Sequence, residues 1–116
     1  MPIPITKIAI NGSRRQDEHA ATIASLITTL QQRGIKIVVS QKFNSYLTER
    51  RIFLSDIEVC PLSQPPTGAS MALSFGGDGT FLRTNRWVDR LEIPVAGVNT
   101  GHLGYLADYD LNKGIG

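Results

Sequence analysis

Apolar positions along this chain alternate between short continuous runs and stretches with helical spacing. Lys7-Ile8-Ala9-Ile10-Asn11-Gly12 is a β-branched run that ends on turn residues, which predicts a strand, with Ser13 or Asp17 available to cap a following helix. Ala20, Ile23, Ala24, Ile27 and Leu30 then recur at spacings of three and four, and Gly34 stands where a left-handed stop is expected after Arg33. Ile35-Lys36-Ile37-Val38-Val39 reads as a second strand. Together these segments form a βαβ unit, whose crossover is right-handed in nearly all proteins.

Residues 42–57 carry Phe43, Leu47, Ile52, Phe53 and Leu54 in a pattern that fits a broken amphipathic helix and a packed loop about equally. Pro61, Pro65, Pro66 and Gly68 interrupt regular structure before an apolar run from Met71 to Phe75, the next predicted strand. A helix is expected over residues 80–91, with Phe81, Asn85, Val88 and Leu91 on one side, and a strand over residues 94–98, entered through Pro94. Strands alternating with helices predict an α/β fold: a Rossmann-like, doubly wound, mainly parallel sheet flanked by helices, with ligands at the carboxyl ends of the strands.

Composition narrows the classes without choosing among them. A chain of 116 residues with 41% apolar and 19% charged residues fits one globular domain, and a formal charge of +2 gives no argument for nucleic acid or a membrane surface. Cys60 is the only cysteine and His19 and His102 the only histidines, so neither an internal disulfide nor a structural zinc set is expected. No run approaches the roughly 20 apolar residues of a membrane span, and the first residues lack the pattern of a secretory signal. The expected location is the cytoplasm. Residues 110–116 carry no strong pattern and read as the start of a connection to a further domain.

The candidate chemistry lies where two strands end. Gly76-Gly77-Asp78-Gly79-Thr80 sets three glycines around one carboxylate at a strand-to-helix junction, a place where backbone N–H groups are free to meet an anion. An acid there is explained in one of two ways: it takes a proton from a hydroxyl that attacks a phosphoryl group, or it holds the metal ion that neutralises the phosphates. The chain contains neither G-x-x-x-x-G-K-[ST] nor G-x-G-x-x-G, which removes P-loop enzymes and standard dinucleotide oxidoreductases. About twenty residues on comes Gly97-Val98-Asn99-Thr100-Gly101-His102-Leu103-Gly104-Tyr105-Leu106-Ala107-Asp108. Trp87 reads as a packing residue, and Cys60 as an unactivated thiol.

These two loops together resemble the NAD kinases, and the N-terminal βαβ unit extends the resemblance over most of the chain. The first loop is shared with phosphofructokinases and diacylglycerol-kinase-like lipid kinases of the same superfamily; the second is more specific. The resemblance implies phosphoryl transfer from ATP, or inorganic polyphosphate, to the 2′-hydroxyl of the adenosine ribose of NAD, with a divalent cation such as Mg²⁺. It implies Asp78 as general base, Gly79 against NAD, Gly76, Gly77 and Thr80 toward the phosphates, Arg83 as a contact to NAD, and His102 and Tyr105 lining the nucleotide pocket. No protein ligand set for a metal is assigned. It also implies that residues 1–116 form the N-terminal domain of a longer protein, followed by a β-rich domain that completes the NAD site and carries most contacts of a homo-oligomer. A lipid or sugar kinase, or a non-catalytic nucleotide-binding module, is the alternative expectation, with neither nucleic acid nor membrane as a partner.

Overall fold

A computed structural model describes residues 4–14, 16 and 18–98 of the chain. Among these described residues five strands form one parallel sheet in the order β3-β2-β1-β4-β5, from β1 (Lys7–Gly12), β2 (Lys36–Ser40), β3 (Ile57–Cys60), β4 (Met71–Phe75) and β5 (Val95–Val98). Three helices connect them: α1 (Ala20–Gln32), α2 (Gln41–Glu49) and α3 (Asp78–Val88), the last followed by a 3₁₀ turn at Asp89–Leu91. This is the doubly wound α/β architecture that the alternation of periods predicts.

Side-chain alternation in the central strands sends two different sets of residues to the two faces. Ile8 and Ile10, Ile37 and Val39, and Phe75 meet Ala20, Ile23 and Ile27 of α1 and Phe43, Tyr46 and Leu47 of α2. All are buried, and burying each of the large ones stabilises the fold by about 1.5–3 kcal/mol. The opposite face is shallower: Ala9, Val38 and Ala72 receive Trp87 and Val88 of α3, with Ala69 beside them. Small residues on the strands leave room for the indole.

Several local readings shift. The ambiguous stretch after residue 42 resolves into α2, because Ser40 takes an extended N-cap geometry and its Oγ accepts a hydrogen bond from the Phe43 N–H at 3.3 Å. Phe43 and Leu47, one turn apart, then both face the core. Strand β3 has no counterpart in the sequence reading: it is four residues long, sits at the sheet edge, and leaves Val59 exposed, so it carries little hydrophobic signal. Helix α3 begins at Asp78 rather than residue 80, and its buried positions are Thr80, Thr84, Trp87 and Val88. Phe81, expected on the packed side, is partly exposed and lies across Gly97 instead. The apolar spacing misleads here because two threonines occupy inward positions. Helix α1 starts after His19 with no side-chain cap; Asp17 lies outside the described residues.

Candidate active site

The sheet order places β1 between β2 and β4, and the chain leaves these strands toward opposite faces. After β1 it turns to α1, and after β4 to α3, so the two loops part above the carboxyl ends and open a crevice at the topological switch point. The floor of the crevice is tied across: the Ser13 N–H donates to the Phe75 carbonyl at 2.9 Å, and the buried Gln16 amide reaches both the Ser13 hydroxyl and, at 3.4 Å, the same carbonyl.

Gly76 ends β4 with φ +153°, and its N–H donates to the Val98 carbonyl at 3.0 Å. A Cβ on Gly76 would lie 2.7 Å from Thr80 Oγ1 and 3.2 Å from Ser13 Cβ, so the turn closes only on glycine. Gly77 is the N-cap of α3, and its carbonyl accepts the first helical bond from Phe81 N at 3.0 Å. Asp78 is thereby the first residue of the helix, exposed above the strand ends. Helix dipoles favour a negative charge at this end by about 0.3–1 kcal/mol.

Arg83 lies one turn further along the same helix. Its Nη2 donates to Thr80 Oγ1 at 3.2 Å, and its Nη1 is 3.5 Å from where a Gly79 side chain would begin, so the guanidinium folds back over the loop toward the crevice. A Cβ on Gly79 would meet it at ordinary van der Waals distance. Thr80 is buried and serves as the anchor of that guanidinium, while Gly77 and Gly79 expose backbone.

Behind this head of the loop is a layer of buried polar groups. Ser40 Oγ donates to Asn11 Oδ1 at 2.6 Å, Asn11 Nδ2 donates to Thr84 Oγ1 at 3.1 Å, and the Thr84 hydroxyl donates to the Thr80 carbonyl at 2.8 Å. One chain of hydrogen bonds therefore joins the start of α2, the end of β1 and the first two turns of α3. It fixes the relative positions of Lys42, on the first turn of α2, and Arg83.

A cleft of about 220 Å³ results, lined by Gly12, Ser13, Arg14, Lys42, Leu62 and Arg83 among others. Its three cations come from three different elements. The sequence reading placed Arg83 at the site and passed over Arg14, Lys42 and the Gly12-Ser13 turn. Their signal was available: the rule that ligands gather at strand carboxyl ends applies to β1 and β2 as much as to β4. His102 and Tyr105, with the rest of the second loop beyond Val98, lie outside the described residues. Among the described residues no three His, Cys, Asp or Glu side chains gather as a metal site, and no helix is long and apolar enough to cross a membrane.

A family model for the ATP-NAD kinase N-terminal domain matches residues 8–114 of the chain. The chain belongs to that family. It is 38% identical over 112 residues to the NAD kinase of Porphyromonas gingivalis, covering 92% of this chain and 37% of the relative. With the NAD kinase of Bacteroides fragilis it shares 35% identity over 103 residues, covering 88% and 35%. The chain thus spans a little over a third of the length of these curated relatives. A solved structure of yeast NADH kinase complexed with NADH shares the fold at a TM-score of 0.56 with 11% identity, over 91% of this chain and 38% of that one. The doubly wound sheet is therefore the fold of this kinase domain, and the Gly76–Thr80 turn and the crevice beside it lie within the matched region.

Proposed function

We propose that this domain supplies the phosphate-handling half of an NAD kinase active site, transferring a phosphoryl group from ATP or polyphosphate to the 2′-hydroxyl of the adenosine ribose of NAD. The observation that carries the reading is the exposed Asp78, set by the Gly76-Gly77 turn at the head of α3, the helix that sends Arg83 into a cleft with three cations. Asp78 takes the proton of the attacking hydroxyl as its oxygen bonds to the terminal phosphorus of the donor, the bond from that phosphorus to the bridging oxygen breaks and ADP or the shortened polyphosphate leaves, while the exposed N–H groups and Arg83 hold the phosphates in line. Gly79 leaves the backbone open to NAD, and the family resemblance gives His102 and Tyr105 a part in binding the nucleotide.

A divalent cation such as Mg²⁺ fits these residues in one way. Mg²⁺ is usually held by one or two carboxylates together with substrate phosphates, and Asp78 is one carboxylate at the head of the helix whose Arg83 lines a phosphate-sized cleft. When bound, the ion neutralises charge on the phosphates. Further elements of the proposal are a β-rich domain completing the NAD site, a homo-oligomer in the full-length protein, and a cytoplasmic location.

The test is NADP formation by the full-length protein carrying Asp78→Asn. The substitution keeps shape and removes the base, so kcat falls by about 10²–10⁴ while KM for NAD changes little. Turnover within about threefold of the parent would remove Asp78 from that role.

A further inference from the structure

A second pair of cations stands further along α3. Arg86, in the last turn of the helix, and Arg90, in the 3₁₀ turn after it, are exposed and four residues apart. With Ser63 and Gln64 of the β3–β4 connection and the Trp87 indole they line a cleft of about 150 Å³. At 1.5 Å per helical residue, Arg86 lies about 12 Å along the axis from Asp78. Trp87 supplies the observation that packing leaves unexplained. The residue is 3% exposed, and its Nε1 is buried with no hydrogen-bond partner among the described residues. A buried indole N–H ordinarily finds an acceptor, because leaving it bare forfeits the bond it makes to water. Phenylalanine would cover Ala9, Val38 and Ala72 without that cost.

We propose that this cleft is an oxyanion site outside the catalytic crevice, taking one small tetrahedral anion of the phosphate class whose oxygens accept from the Trp87 Nε1–H and pair with the Arg86 and Arg90 guanidiniums. The site uses no group of the Gly76–Thr80 turn, so it stands whether or not the kinase reading holds. Helix dipoles favour cations at a helix end, so the two arginines by themselves call for no ligand; the bare indole N–H beside them does. One anion answers both local costs, since it gives the N–H an acceptor and offsets the repulsion of like charges one turn apart. Forked guanidinium donors match phosphate oxygens. Pockets that enclose a whole drug-sized ligand start at roughly 300 Å³, so a cleft of about 150 Å³ suits a single phosphate group and not a nucleotide. Leu62 lines both this cleft and the crevice, so a phosphate titration has to tell the two apart.

Trp87 is the only tryptophan of the chain, which gives the site a signal of its own. In a proton–nitrogen correlation spectrum of the chain, titrated with sodium phosphate in place of chloride at one fixed ionic strength, the single indole cross-peak is expected to shift saturably with a midpoint in the millimolar range. Arg86→Gln and Arg90→Gln are each expected to raise that midpoint by about three- to tenfold, whereas Lys42→Gln, in the crevice, leaves it within about twofold. Both arginines are exposed, so the variants retain the fold, which the dispersion of the backbone amide peaks checks. An indole peak unmoved at tens of millimolar phosphate, a midpoint unchanged in both arginine variants, or one that Lys42→Gln raises as much as they do would each overturn the proposal.

Discussion

The two faces of the sheet are built from the same five strands and do different things. On the face covered by α1 and α2, isoleucines and aromatic rings fill the space from one end of the strands to the other, with Phe43 and Tyr46 stacked at a centroid distance of 6.2 Å. On the α3 face the lower part is a small apolar cluster around Trp87, and the upper part turns polar: Asn11, Ser40 and Ser74 occupy the carboxyl ends of β1, β2 and β4, with Thr80 and Thr84 above them. Hydrocarbon packing tolerates approximate fit, whereas a hydrogen-bonded layer requires each partner in place. One face therefore stabilises the domain, and the other sets the position of the groups around the crevice.

That division is broken most directly by Phe43→Ala. The ring is fully buried, stacks on Tyr46 and lies against Gly12, where even one added Cβ would come within 2.5 Å of it. Removing it destabilises the domain by about 3–5 kcal/mol, read as a lower midpoint in urea unfolding. A loss below about 1 kcal/mol would mean that the α1/α2 face collapses to fill the space and does not carry the fold.

The corresponding cut on the other face is Asn11→Leu, which leaves the Ser40 and Thr84 hydroxyls without the amide that joins them. Leaving buried polar groups unpaired destabilises by about 1–3 kcal/mol. The sharper expectation is functional: because the amide fixes α2 against α3, triphosphate affinity should fall in Asn11→Leu and remain near parental in a core variant of equal instability, such as Ile27→Val or Ile27→Ala, measured well below the unfolding midpoint. Equal losses in both would erase the distinction between the faces.

Within the crevice itself, Gly76 and Gly77 form a smaller version of the same contrast. Alanine at Gly76 meets Thr80 and Ser13 and a backbone of φ +153°, so it destabilises by more than about 1 kcal/mol. Alanine at Gly77 meets nothing within 4 Å, and its stability effect should stay within about 0.5 kcal/mol. If phosphate approaches the Gly77 backbone, that variant loses affinity with its unfolding midpoint unchanged.

What the sequence discloses follows the same line. Hydrophobic period reveals elements whose buried residues are apolar, so β1, α1, β2, β4 and β5 are legible from Ile8, Ile23, Val38, Ala72 and Val95 outward. Period fails where inward positions are polar or the element is short. Thr80 and Thr84 turn the packed side of α3 away from Phe81, and the edge strand β3 has four residues with Val59 exposed. Gly77 and Gly79, on either side of Asp78, announce a site because no packing argument explains them, whereas the close approach of Thr80 and Ser13 accounts for Gly76. Lys42 does not, since a lysine early in a helix looks like any solvated charge until the sheet order sets it opposite Arg83.

A comparably small change in stability is expected at Glu49, and it is informative for that reason. Its carboxylate pairs with Arg14 Nη2 at 3.1 Å, and both side chains are more than half exposed, so the pair contributes at most about 0.5–1 kcal/mol. Arg14 is also a wall of the cleft, and Glu49 competes there with any incoming anion. In Glu49→Gln the unfolding midpoint should hardly move while triphosphate binds about twofold more tightly, an advantage that fades as salt screens both interactions. An unchanged or weaker affinity would mean that the ion pair positions Arg14 for the phosphate chain, and that the cleft depends on an acid outside its walls.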